Sequence, residues 1–208
     1  MSTVIRTAEE LEGDYPVASG TRSPAELLAL AREIAADPAR WEHAVRHDPH
    51  TRTYALLHED DDVTVWLLCW SPGHDTGFHD HDVSSAGVAV ARGAIVDERL
   101  TLHGAPIARR LDGETGATIE PTEIHRMRHP GGEPAVSVHA YSPPLVRTGA
   151  YEIAADGRLL RHAQPGEDAL VPPRRLRDPA PSVVGRPAGR RADVARAGRP
   201  EPRHTRGT

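Results

Sequence analysis

Gly73-His74-Asp75-Thr76-Gly77-Phe78-His79-Asp80-His81, with Gly87 and Gly93 beyond it, decides how this chain is read. Two histidines stand one residue apart, after an apolar run and a Pro72-Gly73 turn. On an extended strand, residues i and i+2 face the same side. His79 and His81 can therefore turn both imidazoles toward one metal ion from a single rigid element. A third ligand has to come from another segment. His125 is the candidate, since it follows Ile119-Glu120-Pro121-Thr122-Glu123-Ile124, a strand entering a turn. A β domain can bring such a strand beside the first.

The flanking sequence supports a β domain. Upstream, Thr53-Tyr54-Ala55-Leu56-Leu57 and Val63-Thr64-Val65-Trp66-Leu67-Leu68-Cys69-Trp70 read as strands, and Glu59-Asp60-Asp61-Asp62 as the turn between them. That acidic run lacks the ligand spacing of an EF-hand, so it reads as a solvated turn. Downstream, strands are expected at 86–92, at 94–102 with Asp97-Glu98-Arg99 facing solvent, at 106–111 and at 116–120. Asp112-Gly113 reads as a hairpin turn, and Pro130-Gly131-Gly132 as another turn. Ala135 to Tyr141 is a further strand, closed by Pro143-Pro144. A last hairpin is expected from Tyr151-Glu152-Ile153 and Leu159-Leu160 around Asp156-Gly157. Many short strands with Gly-rich turns point to an all-β sandwich or barrel.

Ahead of these strands, Ser23-Pro24-Ala25-Glu26 opens a helix, with Ser as N-cap, Pro at the first position and Glu closing a capping box. Leu27, Leu28, Leu30, Ala31 and Ile34 give it an apolar face. Asp37-Pro38 breaks it and starts a second short helix through Trp41 and Val45. The pair is expected to pack on one side of the β domain.

Composition sets the limits. The apolar fraction of 38% and mean hydropathy of −0.50 are low for 208 fully folded residues. Residues 1–22 read as a flexible lead-in, 23–165 as the domain, and 166–208 as a disordered Pro/Arg-rich tail. All 25 basic residues are Arg. Residues 172–208 hold 10 Arg against 3 acids, which leaves 15 Arg and 27 acids in the rest. An acidic globule with a basic tail does not suit a dedicated nucleic-acid binder. The single cysteine, Cys69, excludes an intramolecular disulfide and suits a reducing cytoplasm. No signal peptide and no 18-residue apolar run is evident, so no membrane contact is expected. A monomer in the cytoplasm is the expectation.

One further pattern carries chemistry. Ser137, His139 and Tyr141 lie at i, i+2 and i+4, on one face of one strand. Their polar groups can form a relay from hydroxyl to imidazole to phenol.

The chain resembles the cupin thiol dioxygenases, of which cysteine dioxygenase is the best-known member. Gly73, His79-x-His81 and Gly93 match the first cupin motif, with Ala86 where a carboxylate ligand usually stands. Leu67 to His74 with Phe78-His79-Asp80-His81-Asp82, and His125-Arg126 with Ala135 to Pro144, resemble the two sequence blocks of that family. The resemblance covers roughly residues 24–155. It implies a jelly-roll-like cupin barrel and Fe(II) held by His79, His81 and His125. It also implies a small thiol and O2 as substrates and a sulfinate as product. Tyr141 would stand beside the iron, oriented by His139 and Ser137, so that His139 is not a ligand. Members that carry a Cys–Tyr thioether have the Cys at the place of Ala86, or of Gly87 if the register shifts, so that link is absent here. The family's carboxylate-binding Arg aligns with Tyr54 to Leu56, which leaves nearby Arg52, together with Tyr54, as the substrate-binding candidates. L-Cysteine is the default substrate, 3-mercaptopropionate or another small thiol the alternative, and a non-catalytic metal-binding sensor the alternative of another class. Of the other histidines, His74 is expected at the mouth, and His43, His47, His50, His58, His103, His129 and His162 in solvent.

Overall fold

The computed structural model describes residues 21–165. The expected tail at 166–208 and all but the last two residues of the lead-in lie outside the described residues. Those two are ordered with the domain, and the Arg22 backbone N–H donates to Ser142 Oγ at 2.9 Å.

Helix α1, Pro24–Ala35, begins as its sequence dictates. The Ser23 hydroxyl accepts from the Glu26 N–H at 3.3 Å, and Glu26 Oε2 accepts from the Ser23 N–H at 2.8 Å. Leu27, Ala31 and Ile34 are buried. The expected second helix is instead two 3-10 turns, Pro38–Arg40 and Glu42–Ala44. Trp41 separates them with φ −141°, outside the helical region, while its buried indole N–H donates to Ala35 O at 3.2 Å. Anchoring that indole under α1 leaves no room for a continued helix.

Eleven strands follow among the described residues: β1 Thr53–Glu59, β2 Thr64–Trp70, β3 His79–Asp80, β4 Ser85–Arg92, β5 Ile95–Arg99, β6 Ile107–Leu111, β7 Gly116–Ile119, β8 His125–Arg128, β9 Ala135–Ser142, β10 Arg147–Ile153 and β11 Leu159–Pro165. They form a five-stranded sheet in the order β1-β2-β9-β4-β7 and a six-stranded sheet in the order β11-β10-β3-β8-β5-β6. Every pairing is antiparallel. This is the double-stranded β-helix of the cupins, with a helix added. Strand β8 has no counterpart among the strands that the sequence predicts. Asp112-Gly113 is a turn but not a hairpin, because β6 and β7 belong to different sheets. Its Asp112 side chain caps the turn, accepting from the N–H groups of Glu114 and Thr115.

Two apolar layers divide the molecule. Inside the barrel, Leu68, Trp70, Val88, Ile95, Leu111, Ile119, Met127 and Tyr141 pack together. On the outer face of the five-stranded sheet, Leu27, Ala31, Ile34 and Trp41 meet Val65, Leu67, Val136, Val138 and Ala140. Fully burying one such aliphatic side chain contributes about 1.5–3 kcal/mol. Strand β9 lies between the layers, and all eight of its residues are buried. Gly87 on β4 lets α1 come this close, for a Cβ there would lie 2.1 Å from the Leu28 backbone nitrogen. Among the described residues no helix is long and apolar enough to cross a membrane.

Candidate metal centre

Short connections aim the three histidines. Thr76 ties the approach to β8 through its N–H to Met127 O and its hydroxyl to the Met127 N–H, both at 2.9 Å. Gly77, at φ 69°, then turns the chain, with its N–H on Asp75 Oδ1 at 2.8 Å. Strand β3 follows, and its His79 pairs directly with His125 of β8. The chain leaves at Asp82, whose φ of 57° is one that Asp tolerates.

His79, His81 and His125 are all buried, each offers one nitrogen, and these nitrogens lie within 4.8 Å of one another. The ring centroids of His79 and His81 are 5.2 Å apart, those of His79 and His125 4.5 Å, and those of His81 and His125 5.0 Å. Nε2 of His81 and Nε2 of His125 approach to 3.3 Å. Among the described residues no carboxylate joins this group. Ala86 is fully buried and pairs with Tyr141 across the sheet.

The outer nitrogens determine what the inner ones can do. His125 Nδ1 lies 3.0 Å from the Asp97 carboxylate, which only accepts, so the proton sits on Nδ1 and Nε2 presents a lone pair. His79 Nδ1 lies 3.1 Å from Gly77 O, with the same result. His81 Nδ1 is buried without a hydrogen-bond partner. The lone pairs of His79 and His125 thus converge on one spot beside His81 Nε2, and a cation suits that spot. Burial first, and then the electrostatic influence of neighbouring His125, pushes His79 down to about 3, and the same causes hold His81 well below the ordinary imidazole range. These two rings stay neutral, as metal ligands must. The donor set is three imidazoles, the kind of nitrogen ligand that suits a divalent transition metal.

Asp97 was missed. It was expected in solvent, but it is 1% exposed. The β5–β8 register sets Asp97 opposite Met127 and Arg99 opposite His125, so Asp97 turns inward toward the ligand ring. Burial works against its charge, but the bond from His125 and the nearby Arg99 outweigh it and lower its pKa.

The expected relay is present. Ser137 Oγ and His139 Nε2 are 2.7 Å apart, and His139 Nδ1 and Tyr141 Oη 3.4 Å apart. Trp70 extends it, its indole N–H donating to Ser137 Oγ at 2.8 Å. That donor leaves the Ser137 hydroxyl proton for His139 Nε2. His139, pushed down to about 3 by burial and then by Arg52, is neutral and carries its one proton on Nδ1, facing the Tyr141 oxygen. The phenol proton is then available to the site. Tyr141 stands edge-on to His81, ring centroids 5.1 Å apart, and burial raises its pKa, so the phenol keeps its proton.

Arg52 and Tyr54 both lie on the inward face. Arg52 is 1% exposed, with its guanidinium 5.0 Å from the centre of the Trp70 ring. Tyr54 packs edge-on to Trp66 at 5.7 Å. Burial lowers Arg52 to about 10, which still leaves it charged at neutral pH. Its field depresses both His79 and His139, so a cation faces the metal site and the relay together.

One other histidine departs from expectation. His129 is buried, bonded through Nε2 to Glu133 O and through Nδ1 to the Gly131 N–H. His74 is buried as well, its Nδ1 accepting from the Ser71 N–H to close the Pro72-Gly73 turn. His43, His47, His50, His58, His103 and His162 are exposed, as expected.

The chain is similar to several known proteins. A family model described as cysteine dioxygenase type I matches residues 21–154. Cysteine dioxygenase type 1 of Homo sapiens is 25% identical over 145 residues, covering 61% of this chain and 68% of that protein. The Rattus norvegicus protein of the same name is 26% identical over the same length and coverage. Among solved structures, TT1209 from Thermus thermophilus aligns at 16% identity and TM-score 0.45, over 50% of this chain and 93% of that one. An uncharacterized conserved protein with a double-stranded beta-helix domain from Klebsiella pneumoniae aligns at 20% identity and TM-score 0.44, over 49% of this chain and 80% of that one.

Proposed function

The chain belongs to the cysteine dioxygenase type I family, and from that premise we propose that it is a non-haem iron thiol dioxygenase that oxidises L-cysteine with O2 to the sulfinate. The observation that carries the proposal is the meeting of three convergent histidines, without a carboxylate, and a protonated phenol set against one of their rings. A storage or sensing site has no use for a phenol oriented by three further side chains.

His79, His81 and His125 would hold the ion through the nitrogens that face one another. Bound Fe(II) supplies the Lewis-acid and redox chemistry that lets a closed-shell thiolate react with O2. The remaining work falls to the protein. Arg52 receives the substrate carboxylate, for which its planar fork offers two parallel N–H donors. Trp70 stacks on the guanidinium and restricts it to one orientation. Tyr141 donates its phenol proton toward the reacting groups, and His139, Ser137 and Trp70 keep that proton aimed. Asp97 holds the His125 tautomer. The apolar wall of Leu68, Val88, Ile119 and Met127 excludes water. The overall conversion balances without another reactant: R–SH and O2 give R–SO2H, with both oxygen atoms on sulfur.

Oxygen uptake and product analysis on the iron-loaded protein test the assignment. One sulfinate per O2 with L-cysteine is expected. Arg52→Ala raises KM for cysteine at least tenfold and leaves turnover of cysteamine, which has no carboxylate, within a factor of two or so. Absence of uptake with every small thiol tried refutes the enzyme reading. A preference for 3-mercaptopropionate reassigns the substrate.

A further inference from the structure

The residue between the two neighbouring ligands has a site of its own. Asp80 is 6% exposed and points to the side of β3 opposite His79 and His81. Five donor groups converge on its carboxylate. Arg161 Nε reaches Oδ2 at 2.7 Å and Arg161 Nη2 reaches Oδ1 at 2.8 Å. The Tyr151 hydroxyl donates to Oδ2 at 2.6 Å. The backbone N–H groups of Gly149 and Asp82 donate to Oδ1 at 3.0 and 2.9 Å. Arg161 Nη2 also reaches Asp82 Oδ1 at 3.2 Å.

The space for this arrangement is prepared. A Cβ on Gly149 would lie 2.2 Å from Arg161 Nε and 2.6 Å from Cζ. Glycine therefore lets the guanidinium lie flat on the β10 backbone. Strand β3 itself is weakly held, with two residue pairs to β10 and one to β8. A ladder that short does not set the spacing of two ligands on its own. Arg161 stands on β11, beyond residue 154 where the match to the family model ends.

We propose that Asp80, Gly149, Tyr151 and Arg161 form a clamp that presets His79 and His81 for the metal, with Arg161 as its principal positioning residue. This rests on the reading of His79, His81 and His125 as the ligands. Retention of the ion then depends on a strand outside the part shared with the family model. Lys at position 161 would replace a two-pronged grip by a point charge and restore it only in part.

The test uses the full chain and measures Fe(II) affinity by anaerobic competition with a chelator, beside the melting temperature of the metal-free protein. Arg161→Ala is expected to weaken the affinity about 10–100-fold, Arg161→Lys by less, and Gly149→Ala in the same direction as Arg161→Ala. Arg158→Ala, which breaks the exposed ion pair to Asp156 on the same hairpin, is expected to change nothing. A lower melting temperature with unchanged affinity in the Arg161 and Gly149 variants overturns the clamp and leaves a merely structural ion pair. Should Arg161→Ala fail to fold, Arg161→Lys carries the comparison. A wild-type protein that takes up no stoichiometric Fe(II) overturns the three-histidine reading and the clamp with it. Wild-type loading matched by Arg161→Ala overturns the clamp alone.

Discussion

Asp97 remains charged at 1% exposure because His125 supplies its donor at 3.0 Å, and the bond holds a His125 proton on Nδ1, which leaves Nε2 as the ligand atom. Asp97→Ala would leave the His125 N–H buried without an acceptor, at a cost of about 1–3 kcal/mol. It should weaken metal binding about 10–100-fold, read by chelator competition and by the loss of melting temperature. Tyr141→Phe removes only the donor. Iron stoichiometry should persist while kcat for cysteine falls about 10²-fold, and loss of the iron itself would show that the phenol helps build the site. The histidine pair and the Ser137–His139–Tyr141 trio were legible in the sequence because each lies within one strand, where spacing alone determines the face. Asp97 was not legible. Its orientation depends on how β5 registers against β8, a contact between residues 28 apart in sequence. Arg52 was half legible, since its place beside the metal block could be read but its face could not.

At the level of elements, the helix and the sheet it covers are coupled by a missing side chain. Gly87→Ala would set a methyl 2.1 Å from the Leu28 nitrogen, which is backbone and does not yield. Overpacking of this kind costs about 1–3 kcal/mol, expected as a lower melting temperature and a looser α1 by circular dichroism. An unchanged melting temperature would mean that the helix shifts freely on the sheet. Element type was largely readable, and connectivity less so. The capping box at Ser23 announced α1, and alternating or fully apolar runs announced β2, β4 and β9. Asp112-Gly113 has the chemistry of a hairpin turn, yet its flanking strands diverge into different sheets. Local sequence specifies that a chain turns, not which sheet it turns into. Likewise His125-Arg126-Met127-Arg128 alternates buried and half-buried residues, but three of its four residues are polar, which masked a strand.

For the whole molecule, the buried neutral imidazoles set the response to acid. His139 lies at about 3 in the folded protein against 6.5 for a free side chain, with burial the main cause and Arg52 the next. Between those values the unfolded chain binds the extra proton. The contribution to stability is therefore complete above about pH 6.5 and is lost as pH falls toward 3, by about 1.4 kcal/mol per pH unit for this one group. His79 and His81 act in the same direction. The metal-free protein should melt at progressively lower temperature from pH 7 to pH 5, and His139→Gln should flatten that slope in part. A melting temperature independent of pH over this range would show that the rings are not buried as described.

The complete burial of β9 has one more consequence, and it concerns time. A strand enclosed by two apolar layers can exchange its amide hydrogens only when both layers open, which is close to global unfolding. The phenol and its relay thus sit in the slowest-opening part of the protein. The opposite wall differs, for β3 is two residues long and β10–β11 forms the rim of its sheet. The amides there are expected to exchange through smaller, more frequent openings. The phenol then stays in place through the smaller openings that reach the opposite wall.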